Sequence, residues 1–141
     1  MNRGLRTCGV LFLFMSVFSC ACKEQRATNR WLELEKESVR RSHEAQLKYK
    51  NADYQTAKSA LVDLLQFLDK AGYPPNAPNE FREDAMMTCV RLAKLEEKNH
   101  GSEQAAYMKQ AVTRCQSFPL HGKCDEDSLR NLCDRLDALT K

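Results

Sequence analysis

The chain reads as an all-α protein: antiparallel helical hairpins and a C-terminal helix, following an N-terminal signal peptide. Three observations carry this. Glycine and proline number 5 and 4 in 141 residues, so breakers are scarce. Leu, Ala, Glu, Lys, Gln and Arg dominate, and these are the strong helix formers. Apolar residues recur at offsets of three and four, the period of one helix face.

The leader comes first. Arg3 and Arg6 precede an apolar run from Cys8 to Phe18, and the small and polar residues Ser19, Cys20, Ala21 and Cys22 follow it. A positive start, a short apolar stretch and a small-residue exit describe a secretory signal, here residues 1–19. The run is short of the roughly 20 apolar residues needed to span a bilayer. Residues 20–42 are charged and form a tether that becomes helical near Asn29. Residues 43–141 form the helical domain.

Each helix of that domain is legible from its stripe and its ends. A first stretch carries Ala45, Leu47 and Tyr49, and turns at Asn51-Ala52-Asp53. Asp53 to Lys70 places Tyr54, Ala57, Leu61, Leu64, Leu65 and Leu68 on one face. Gly72-Tyr73-Pro74-Pro75-Asn76-Ala77-Pro78 breaks the chain. Asn79 is expected to cap the next helix, with Phe81, Ala85, Cys89, Leu92 and Ala93 along one side. His100-Gly101 should end it, with glycine just past the helix end. Ser102 is expected to cap a fourth helix bearing Ala105, Met108, Ala111, Val112 and Cys115. After Phe118-Pro119-Leu120-His121-Gly122, a last helix aligns Leu129, Leu132, Cys133, Leu136 and Leu139.

Charge excludes some functions. The formal net charge is +3, two charges of which lie in the leader. Basic and acidic residues are interleaved, as on a solvated helix surface, without the basic excess of a nucleic-acid binder. Glu33, Glu35 and Glu37 spread around their helix rather than pairing. Phosphate-loop, dinucleotide, nucleophile-elbow and His-Glu-x-x-His patterns are all missing. His43, His100 and His121 are scattered, and Met86-Met87 reads as core filling. The expectation is a protein that is no enzyme and needs no cofactor and no metal. Tyr73 with Pro74-Pro75 is the best candidate for an exposed recognition loop.

Val17-Phe18-Ser19-Cys20 resembles the lipobox of bacterial lipoproteins, in which a small residue precedes the cysteine that receives lipid. Cys22, preceded by Ala21, is the alternative. The resemblance implies diacylglyceryl transfer to the sulfur, cleavage before that cysteine and a membrane anchor through the N-terminal lipid. Several acyl chains hold firmly, because each buried methylene contributes ~0.8 kcal/mol. Neither cysteine is followed by aspartate, which favours the periplasmic face of the outer membrane as the site in the cell envelope.

Two stretches resemble each other: Tyr49 to Ala57 leading into Leu61 and Leu64, and Leu92 to Ala105 leading into Tyr107 and Ala111. Each is helix, short polar turn, then a helix with alanine near its start. This is similar to the tetratricopeptide repeat, whose small alanines let paired helices approach closely. Ala57 and Ala105 lie 48 residues apart, about 14 more than the ~34-residue repeat, an excess matched by the Gly72–Asp84 region. The resemblance implies a protein–protein interaction module with a concave face from residues 43–50 and 85–97. A rival reading is a small periplasmic ligand-binding or enzyme-inhibitor helical domain.

Of 7 cysteines, Cys8 leaves with the leader and one of Cys20 or Cys22 takes lipid. Cys89, Cys115, Cys124 and Cys133 then form an even set, which in an exported chain favours disulfides. Cys115 and Cys124 flank the last loop and are expected to pair. In a repeat stack the third and fifth helices run parallel, so Cys89 and Cys133 are the expected second pair.

Overall fold

The computed structural model describes residues 8–72, 77–117 and 122–139, with side chains from residue 29 onward. Among the described residues there are five helices and no strand: α1 Cys8–Asn51, α2 Tyr54–Gly72, α3 Asn79–Lys98, α4 Gln104–Ser117 and α5 Glu126–Leu139. The all-α expectation holds. No helix among the described residues is long and apolar enough to cross a membrane.

The chain divides into two compact units, residues 1–36 and 37–141. In the first, Lys36 pairs with Glu33 at 3.0 Å one turn away, and Leu32 is half exposed. Cys20 and Cys22 lie on the α1 backbone, but their side chains fall outside the described set.

The second unit holds the core, and α3 is its centre. Phe81, Ala85, Cys89, Leu92 and Ala93 are buried as the stripe predicts, and so are Met86, Met87, Thr88, Val90, Leu95 and Glu96. A helix buried nearly all round has neighbours on every side. Here α2 and α4 flank it and α5 crosses it. The buried face of α2 is Ala57, Leu61, Leu64, Leu65, Leu68 and Ala71. Each such leucine contributes ~1.5–3 kcal/mol by leaving water. The outer helices bury less than their stripes suggest. In α4, Met108, Ala111 and Cys115 are buried while Ala105 is exposed. In α5 only Leu129 and Cys133 are buried, and Leu139 is 82% exposed. At the end of α1, Ala45 is buried but Leu47 is 49% exposed. The Arg41 guanidinium lies 4.7 Å from the centre of the Phe67 ring, joining α1 to α2.

Helix ends follow local chemistry, with two departures from expectation. Asp53 caps α2 by accepting from the Thr56 N–H at 3.0 Å. Asp125 caps α5 in the same way through the Ser128 N–H at 2.8 Å. Asn79 is not a cap: it is the first residue of α3, and Pro78 holds the cap position without a side-chain bond. Proline lacks an N–H, and its φ of −53° is already suited to a helix start. The second departure is at the end of α3. The left-handed residue is His100, with φ 54°, and no described glycine has positive φ. The Gly101 N–H donates to the Glu96 carbonyl at 2.8 Å and the His100 N–H to that of Glu97 at 3.3 Å. This is the Schellman arrangement with histidine in the usual glycine place.

One disulfide joins Cys115 to Cys124, as expected, and ties the end of α4 to the approach to α5. The expected Cys89–Cys133 bridge is not formed, and both thiols are free and buried. They face opposite sides of α3. Cys89 points toward α4, 4.0 Å from the Gln110 amide. Cys133 lies among Asp137, Arg91 and Lys94. Residues 91 and 94 are turned from residue 89 by roughly 200° and 140° around the helix. No sulfur can span that.

Candidate interaction face

Gln46 and Lys50 of α1 and Arg91, Lys94 and Glu97 of α3, within the segments expected to line a concave face, all bond to α5 in the second unit. The C-terminal helix lies across them. Asp137 is the hub: its carboxylate accepts from Arg91 Nη2 at 2.7 Å, Arg91 Nε at 3.0 Å and Gln46 Nε2 at 3.2 Å. Lys50 donates to the Asp137 backbone carbonyl at 3.3 Å. One turn earlier, Lys94 pairs with Asp134. At the other end Arg130 pairs with Glu97 at 2.7 Å. The two surfaces are complementary, with Lys50, Arg91 and Lys94 beneath and Asp134 and Asp137 above.

Burial gives these contacts their weight. Arg91 and Asp137 are each only 15% exposed at their side chains. Desolvation opposes the Arg91 charge, but the bonds to Asp137 more than offset it, and the guanidinium pKa is raised. Lys94 is raised on the same balance against Asp134. The Cys133 thiol sits under α5 and donates to Asp137 Oδ2 at 3.6 Å. Burial first, then the nearby Asp137 charge, pushes its pKa up to about 11.

A second polar cluster anchors the turn between α3 and α4. Glu96 is 1% exposed, the one buried charged side chain among the described residues. It accepts from Tyr54 Oη at 2.6 Å and from the Glu103 N–H at 3.3 Å, and pairs with Lys58 at 2.7 Å. The Glu103 bond serves the start of α4 that Ser102 was expected to cap. Lys58 also reaches Glu103 at 2.5 Å. Burial acts to raise the Glu96 pKa, but Lys58, Tyr54 and the Glu103 N–H together outweigh it, and the net shift is downward. Neither Glu96 nor Asp137 was singled out from the sequence. The position of Glu96 was readable, because 85, 89, 92, 93 and 96 share one helical face.

The remaining candidates are placed as follows. His43 and His100 are exposed. Tyr73, Pro74, Pro75 and His121 lie outside the described residues. Glu37 is bound to Arg40 and Arg41, whose hydrogen bonds hold its carboxyl at about 2. Met86 and Met87 are core residues. Among the described residues no group of three His, Cys, Asp or Glu side chains converges to hold a metal ion. An open cleft of about 400 Å³ lies between α2, α3 and α4, floored by Leu68, Phe81 and Ala85. Its wall carries Arg114, bidentate to Asp69 at 2.6 and 2.9 Å. The Arg114 guanidinium is thus already matched to a carboxylate, and Arg82 Nε, also in the lining, donates to the Gly72 carbonyl at 3.3 Å.

No protein-family model, no curated protein and no solved structure matches this chain.

Proposed function

We propose that this chain is a lipid-anchored protein of the bacterial cell envelope whose helical hairpins, similar to tetratricopeptide repeats, bind another protein without catalysing a reaction. The anchor rests on the leader and on the Val17-Phe18-Ser19-Cys20 sequence, with Cys22 as the alternative lipid site. One observation carries the binding role. The face formed by the end of α1 and by α3 already receives a helix in cis, through charges set out in a complementary order. A surface that seats one amphipathic helix has the geometry for helix-in-groove recognition.

Two measurements test the two halves. Intact mass of the membrane-extracted protein should show a lipidated N-terminus that disappears in Cys20→Ala, and a gain of two hydrogens on reduction. An unmodified soluble chain overturns the anchor. Co-purification from solubilised membranes should return a reproducible partner with the native chain and lose it with Lys50→Glu/Lys94→Glu. A partner list unchanged by that double substitution overturns the assigned face.

A further inference from the structure

The helix lying across Gln46, Lys50, Arg91 and Lys94 is lightly embedded. Of its 14 residues only Leu129 and Cys133 are buried. Leu136 and Leu139 are 37% and 82% exposed. Beside those two side chains, polar contacts hold it to α1 and α3: Asp137 pairs with Arg91 and accepts from the Gln46 amide, Asp134 pairs with Lys94, and Arg130 with Glu97. Exposure makes two of these pairs weak, Asp134 and Glu97 being 62% and 53% exposed, so that the Arg91–Asp137 pair is the main polar hold. Segments with few buried apolar groups open locally, without global unfolding. The surface beneath is different in kind. Lys50 lies in the last turn of α1 while Arg91 and Lys94 stand on the core helix α3, and lifting α5 leaves the part-buried Arg91 charge without Asp137.

We infer that α5 is a displaceable cover, and that the face beneath it takes in its place an acidic amphipathic helix from another protein. This rests on the interaction-module reading above and adds the chemistry of the partner. The partner helix would repeat the pattern of α5: an apolar residue, a second small apolar residue four later, an acid immediately after it, and another acid three beyond. Leu129, Cys133, Asp134 and Asp137 supply that pattern in cis. The bridge from Cys115 to Cys124 holds the root of α5 in place, so the motion is a swing about Asp125 rather than a loss of the segment.

The two free thiols report the motion from within the native chain. Cys133 lies on the buried face of α5 and Cys89 on the α4 side of α3, and both are 0% exposed. Pulsed alkylation under native conditions, read by mass spectrometry cysteine by cysteine, should label Cys133 at least ten times faster than Cys89. Asp134→Asn/Asp137→Asn should speed Cys133 a further tenfold and leave Cys89 unchanged, which also shows that the variant is folded. Equal labelling rates at the two sites overturn the cover.

The face is tested separately, with a fluorescent peptide of residues 125–139 carrying Cys133→Ser. It should bind the Asp134→Asn/Asp137→Asn chain at least ten times more tightly than the native chain, and the gain should vanish on adding Arg91→Glu. Fast labelling of Cys133 with no peptide binding to the opened chain overturns the helix-binding face while leaving the lifting of α5 intact. A concentration-dependent dimer formed by the opened chain would assign the occupant to a second copy, overturning the partner proposed.

Discussion

Gly101→Ala isolates one contact with little else changed. The φ of Gly101 is not positive, so alanine suits the backbone there. What alanine meets is Glu96: its Cβ would lie 1.9 Å from Oε2 and 2.6 Å from Cδ. Those atoms belong to a carboxylate that is 1% exposed and held by Tyr54, Lys58 and the Glu103 N–H. Reaching ordinary contact moves the carboxylate by well over ~1 Å, which breaks at least one charged hydrogen bond worth ~1.5–3 kcal/mol. We expect Gly101→Ala to destabilise by about 2–4 kcal/mol. Glu96→Ala removes the obstacle at its own cost. In that background the same Gly101→Ala should cost nothing, or stabilise by ~0.4–1 kcal/mol through the unfolded chain. The double-mutant coupling should therefore be about 2–4 kcal/mol. Urea unfolding of the four proteins, followed by far-UV circular dichroism with the disulfide intact, measures it. An equal cost of Gly101→Ala in both backgrounds would refute the reasoning, as would a cost under ~0.5 kcal/mol in the native one.

Other outcomes follow from the same geometry. His100→Gly relieves a left-handed residue and should raise stability by about 0.5–1 kcal/mol in thermal or urea melts, part of the gain being offset by the freer unfolded chain. Glu96 is depressed below its ordinary 4.5, so its contribution is present above that pH and is lost as pH falls through the lower folded value. An acid titration of stability should thus drop below about 4.5, and less steeply for Glu96→Gln. Cys89 and Cys133 are raised from 9.0 to about 11, so stability should fall as pH climbs from about 9 to about 11, and Cys89→Ala/Cys133→Ala should shrink that fall. Reducing Cys115–Cys124, which closes a separation of 9 residues, should cost about 2–3 kcal/mol by urea titration with and without reductant.

Much of the architecture was legible because helices announce themselves locally. The α2 stripe, the turn after Asn51 and the end of α3 at residues 99–101 are short-range chemistry and survive into the fold, whereas Asn79 is not the cap its sequence context suggests. What periodicity cannot say is how many neighbours a helix will have. The α3 stripe reads as one face, yet Met87, Val90 and Leu95 off that face are buried too, because α3 packs against three helices, α2, α4 and α5. The α5 stripe reads as four leucines and a cysteine, yet only two positions are buried, since its contacts with α3 and α4 are far sparser than those of α3 with α2 and α4. Cys89–Cys133 failed for the same reason: shared depth along two helices does not fix the azimuth of either side chain. The seating of α5 was not readable, since Asp137 meets Gln46 and Arg91 across 91 and 46 residues.

The bridge at Cys124 has a consequence for competition. It stands two residues before α5, so in the oxidised protein α5 faces its seat as an intramolecular ligand on a very short leash. Its effective concentration there is far above that of any free competitor, and a partner of the proposed kind would have to bind tightly enough to overcome that advantage. Reduction makes residues 118–125 the only covalent link between α4 and α5. Effective concentration falls roughly as the three-halves power of linker length, so the same partner would compete on easier terms against the same contacts. The affinity measured for this face is then a property of the thiol state of the preparation as much as of the residues that line it.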